Sequence, residues 1–153
     1  MPDAEDTPAI VVERYKYILQ EIHTVNENVY RFLAIFQAVV TALVTAMLLL
    51  FVSYSKWCIA PGTARTGVRG LLALITVIAG FTILLILVGV LSWLDYRREE
   101  CELTTNYFVV GFRSPPRLRN FYRWYETYIV LFIIAITVLL WVLSETFLIP
   151  RIK

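Results

Sequence analysis

Few side chains in this 153-residue chain could take part in covalent or metal chemistry. They are the lone histidine His23, the cysteines Cys58 and Cys101, and the crowded carboxylates Glu99, Glu100 and Glu102. A zinc site built from thiolates and imidazoles takes four ligands, which two Cys and one His cannot supply. His23 has no cysteine near it in sequence, so a thiolate–imidazole pair has no local support. The three carboxylates stand beside Arg97 and Arg98, the pattern of a solvated charged face rather than of a paired acid and base. There is no phosphate-cradling glycine loop, no nucleophile elbow and no zincin helix. The expectation is a protein that is not an enzyme and uses no cofactor or metal.

Composition points to the solvent instead. Hydrophobic residues make up 59 % and charged residues 17 % of the chain, against roughly 45–50 % and 25 % in soluble domains. The charges are also segregated. Residues 32–55, 70–94 and 127–144 form runs of 24, 25 and 18 residues without Asp, Glu, Lys or Arg. About 20 apolar residues suffice to cross a hydrocarbon core. The third run is at the lower limit, which places Glu145 near a headgroup region. Tyr54 and Trp57, Trp93 and Tyr96, and Trp124, Tyr125 and Tyr128 collect at the edges of the runs, as interfacial aromatics do. A formal net charge of +2 is too small to suggest a nucleic-acid partner.

These observations predict an all-α membrane protein with three transmembrane helices, the first extended into the cytoplasm as a long amphipathic helix. Residues 1–8, which include the acidic Met-Pro-Asp-Ala-Glu-Asp opening, read as a disordered tail and not as a signal peptide. A helix is expected over 9–56, containing the first span at 32–55, because no Gly or Pro falls between residues 9 and 60. An outer loop over 57–69, a second span over 70–94, a cytoplasmic connection over 95–123, a third span over 124–149 and an outer tail over 150–153 complete the layout. Nine basic residues fall on the side of the N-terminus and the 95–126 connection, and five on the other. The positive-inside rule then sets the N-terminus in the cytoplasm of an inner-membrane, multi-pass protein. Cys58 and Cys101 lie on opposite sides in this topology, too far apart for a disulfide.

Along the first helix, Val11, Tyr15, Ile18, Ile22, Val25, Val29, Phe32, Phe36 and Val39 recur at alternating steps of four and three. This heptad seam suits packing against another helix, from the same chain or a neighbour. Its polar flank is acidic, with six acidic and three basic residues over 1–31, which disfavours lying on an anionic membrane surface. Further along, Ala34, Ala38, Ala42 and Ala46 repeat every four residues, a spacing that lets helices approach closely in lipid. Gln37 adds an amide that needs an interhelical partner or water. Ile18, Ile22, Val25, Val29, Ala34, Gln37, Ala38, Ala42 and Ala46 are therefore the expected packing and oligomerisation residues. A pore or transport subunit, its lumen lined by Gln37, Thr41 and Thr45, is the second reading.

Arg97, Arg98, Arg113, Arg117, Arg119 and Arg123 form a juxtamembrane basic cluster in the connection, suited to anionic lipid or a cytoplasmic protein partner. The stretch Glu13-Arg-Tyr-Lys-Tyr-Ile-Leu-Gln-Glu-Ile-His-Thr-Val-Asn-Glu-Asn-Val-Tyr-Arg-Phe-Leu, leading into a small-residue span, resembles small prokaryotic membrane proteins. The layout is similar to that of accessory or effector proteins of antiviral defence systems of the RADAR accessory type. The resemblance covers this layout and about 20 residues. It implies a protein that oligomerises, anchors a cytoplasmic partner or compromises the membrane upon infection. It transfers no functional residue.

Overall fold

The structure is a computed structural model that describes residues 9–107, 122 and 124–153. Three helices account for nearly all of them: α1 (Ala9–Ser53), α2 (Pro61–Tyr107) and α3 (Tyr125–Leu143). After α3 the backbone widens into a π-helical turn over Ser144–Leu148 and tightens into a 3-10 turn over Ile149–Arg151. No strand occurs among the described residues. All three helices are long and apolar enough to cross a membrane. The chain is an all-α, multi-pass membrane protein with three spans.

At 1.5 Å per residue, the 45 residues of α1 and the 47 of α2 extend for about 70 Å each. A hydrocarbon core is roughly 30 Å thick. Both helices therefore continue well beyond the lengths that lipid can cover.

The helix ends differ from the sequence reading in two places. The stretch expected as an outer loop over 57–69 is helical from Pro61 onward, with proline at the first helical position, where its missing N–H is not needed. Only Tyr54–Ala60 turns the chain. Ile59 N donates to the Tyr54 carbonyl at 2.9 Å, and Cys58 adopts a left-handed φ of 55°. At the other end, the connection over 95–123 opens with the helical extension expected over 95–102. The helix continues as far as Tyr107, into a stretch whose β-branched and aromatic residues argue against helix by propensity. Thr104 and Thr105 donate their hydroxyls to carbonyls one turn back, which keeps these β-branched residues compatible with the helix. Residues 108–112 lie outside the described residues.

The contacts divide the chain into two units, Met1–Arg31 with Leu85–Thr127, and Phe32–Leu84 with Tyr128–Lys153. In the first unit the opening turns of α1 pair antiparallel with the closing turns of α2. Arg14 bonds Glu99 (Nη2–Oε1 2.6 Å), and a Cβ placed on Gly89 would lie 3.9 Å from methyls of both Val25 and Val29. Val11, Ile18, Val29, Ile86, Leu94 and Cys101 are buried. Tyr96, beyond the second charge-free run, has its phenol pKa raised, first by lost hydration and then by the Glu21 carboxylate.

In the second unit, Met47, Ala64, Val68, Leu72, Ile149 and Ile152 form one buried cluster. Gly67 permits close approach here, since a Cβ would stand 2.8 Å from Leu50 Cδ2. The C-terminal residues are fastened to this cluster. Arg65 donates from Nε to the Ile152 carbonyl (3.1 Å), Lys153 N donates to the Tyr54 hydroxyl (3.3 Å), and Arg69 pairs with both oxygens of Glu145 (2.9 and 3.1 Å). Within the hydrocarbon-length segments the polar side chains mostly serve themselves. Thr45, Thr76, Thr82 and Thr137 donate to carbonyls four residues back, and Trp141 Nε1 donates to Thr76 Oγ1 at 2.9 Å. Lipid offers no hydrogen bonds, so each of these groups needs an internal partner.

Candidate functional site

The helix-packing residues separate into two groups. Ile18 and Val29 are buried and Ile22 and Val25 half-buried within the first unit. Val25 and Val29 flank Gly89 of α2. This part of the seam is used inside the chain. Ala34, Gln37, Ala38, Ala42 and Ala46, in the second unit, are all exposed. With about 100° of turn per residue, Gln37, Thr41, Ala34, Thr45 and Ala38 fall within one arc of about a third of the helix. That arc adjoins the buried stripe of Phe36, Val40 and Met47.

A groove of about 580 Å³ runs beside this arc, walled by Phe36, Gln37 and Thr41 from α1 and by Tyr128, Phe132 and Ile136 from α3. Neither the Gln37 amide nor the Thr41 hydroxyl has a hydrogen-bond partner among the described residues. Both sit well inside the first charge-free run, where an unmet amide costs several kcal/mol. Thr45 differs, since its hydroxyl is satisfied by the Thr41 carbonyl at 2.8 Å.

The basic cluster is only partly visible. Arg97 is turned inward, forming an ion pair with the fully buried Glu100 and lying 5.6 Å from the Trp93 ring centroid. Arg98 is exposed, 3.8 Å from Asp95. Arg113, Arg117, Arg119 and Arg123 lie outside the described residues. His23 is exposed beside Glu27 (3.1 Å), one turn along the helix. No cluster of His, Cys, Asp and Glu able to hold a metal occurs among the described residues.

A cavity of about 280 Å³ in the first unit was not expected. Asn26, Gly89, Trp93, Trp124, Tyr125 and Glu126 line it, together with Val25, Val29 and Val90. The Trp93 and Trp124 rings meet edge to face with centroids 5.8 Å apart, and Tyr125 stacks on Tyr30 at 5.7 Å. In sequence these aromatics read as separate interfacial markers. Trp93 and Trp124 are brought together only by the return of the chain into α3, and no local spacing announces that.

Comparison with protein-family models, with curated proteins and with solved structures gives no match.

Proposed function

We propose that this chain is a self-assembling membrane accessory or effector protein without catalytic activity of its own, which anchors a cytoplasmic partner or perturbs the bilayer. The observation that carries the reading is the α1 arc that ends in Gln37 and Thr41. Small residues there permit close helix approach, and the two unmet polar groups lack the partners that hydrocarbon cannot supply. A second copy of the helix meets both needs, since association in lipid depends on packing and interhelical hydrogen bonds. The likeness in layout to RADAR accessory proteins supports a role in antiviral defence. A water-filled lumen would meet the needs of Gln37 and Thr41 equally well, so a pore is the second reading.

The test is the particle mass in detergent. The wild-type particle is expected at a multiple of the chain mass, and the double variant Ala38→Leu/Ala42→Leu at the mass of one chain. A wild-type particle that is already a single chain overturns the assembly reading. Planar-bilayer current from the intact assembly would favour the pore, and its absence the anchor.

The proposed orientation, N-terminus in the cytoplasm of the inner membrane, rests on the excess of basic residues over 1–31 and 95–126. The exposed Cys58 offers a direct probe, because Cys101 is buried. A membrane-impermeant maleimide is expected to label Cys58 in spheroplasts before lysis. Labelling that appears only after lysis reverses the orientation.

A further inference from the structure

The cavity in the first unit has a chemistry that assembly does not use. Two indoles and a phenol contribute to its walls, Glu126 places a carboxylate among them, and no Lys or Arg lines it among the described residues. Aromatic faces carry negative charge density, and Trp attracts cations most strongly. The Trp93 ring already shows this property by holding the Arg97 guanidinium 5.6 Å from its centroid. Among the described residues, the side-chain lining apart from Glu126 and the Asn26 amide is aromatic and aliphatic. A guanidinium or primary ammonium brings several N–H donors that the Glu126 carboxylate and the Asn26 amide oxygen can meet only in part, whereas a quaternary ammonium has no N–H to lose.

The size agrees with this. A volume of about 280 Å³ is slightly below the range of roughly 300–1,000 Å³ usual for drug-sized ligands. Gly89 contributes to the opening by carrying no side chain. A Cβ there would make only ordinary contacts at 3.9 Å, so the space is not required by backbone packing.

We propose that the cavity formed by Asn26, Gly89, Trp93, Trp124, Tyr125 and Glu126 is a binding site for a quaternary ammonium group, carried either by a free small molecule or by a lipid headgroup. The aromatic walls bind the cation through their π faces, and Glu126 balances its charge.

The experiment uses the full chain in maltoside detergent with Trp57→Phe and Trp141→Phe, which leaves Trp93 and Trp124 as the only indoles. Indole fluorescence is followed at constant ionic strength while tetramethylammonium, choline or 3,3-dimethylbutanol, the neutral isostere of choline, is added. The two cations are expected to give a saturable change, with the isostere at least about tenfold weaker. Gly89→Leu is expected to abolish the response by filling the space, and Glu126→Gln to weaken cation binding several-fold while leaving the isostere unchanged. Melting curves confirm that the variants are folded, and Glu126→Gln stands as the readout where Gly89→Leu does not fold.

Nanodiscs separate the two sources. If the ligand is a headgroup, phosphatidylcholine discs abolish the response to added choline and phosphatidylglycerol discs retain it; if it is free, both retain it. Equal affinity for choline and its isostere overturns the proposal. So does a response that survives Gly89→Leu in a folded protein, or the lack of any saturable response in maltoside. Each of these results is independent of the particle mass that tests self-assembly.

Discussion

Replacing Arg97 with leucine is expected to lower the unfolding free energy by about 3 kcal/mol, whereas the same change at the neighbouring Arg98 costs less than about 0.5 kcal/mol. The two side chains are chemically identical and adjacent, so the contrast isolates position. Glu100 is fully buried, and the Arg97 side chain is 26 % exposed. Removing the guanidinium takes one charged partner from a fully buried carboxylate, a loss that water cannot make good there. Arg98 is 56 % exposed, and its separation of 3.8 Å from Asp95 is that of a loose surface pair. The double variant Arg97→Leu/Glu100→Leu is expected to recover much of the loss, because an apolar pair of similar volume replaces buried ions at little net cost. Denaturant titration in detergent measures all three variants. Equal effects at Arg97 and Arg98 would show that the Glu100 pair contributes nothing.

Ile152→Asp is expected to detach the last residues from the core of the second unit, with a loss on the order of 3 kcal/mol. Ile152 is fully buried against Met47, Ala64, Val68, Leu72 and Ile149. A carboxylate cannot occupy that position, and the chain relieves the conflict locally by letting the segment go. The Arg65 bond to the Ile152 carbonyl and the exchange between Lys153 and Tyr54 are lost with it. The measurement is hydrogen exchange or limited proteolysis over residues 149–153. Faster exchange confined to this segment and the Tyr54–Ala60 turn is the expected pattern, and Lys153→Asp, at an exposed position, is the silent control.

The spans were legible because the cost of a charge in hydrocarbon leaves a direct mark on sequence: Arg31, Lys56, Arg69, Asp95, Glu126 and Glu145 bracket the three runs. Helix ends leave no such mark. Counting charge assigned 57–69 to a loop, yet Arg65 and Arg69 stand outside the charge-free run while remaining on α2. Their positions on its first turns let them reach Ile152 and Glu145. Similarly, the β-branched and aromatic residues after Leu103 argued against helix by propensity, but Thr104 and Thr105 satisfy their hydroxyls on the helix itself.

In sequence, only patterns confined to one helix were legible. The four-residue spacing of Ala34, Ala38, Ala42 and Ala46 is a property of α1 alone, and the structure leaves that row exposed. The inward turn of Arg97 depends on which face of α2 is buried, which composition does not reveal. The cavity depends on residues from α1, α2 and the start of α3. Only the fold puts Asn26, Trp93 and Trp124 in one place.

The ion pair between Arg69 and Glu145 has an electrical consequence. A full charge carried across the membrane potential exchanges about 2.3 kcal/mol per 100 mV with the field. Here the two ionic groups at the ends of the second and third runs cancel each other, and residues 32–55, 70–94 and 127–144 carry no fixed charge at all. Depolarising the cell therefore does almost no work on these segments.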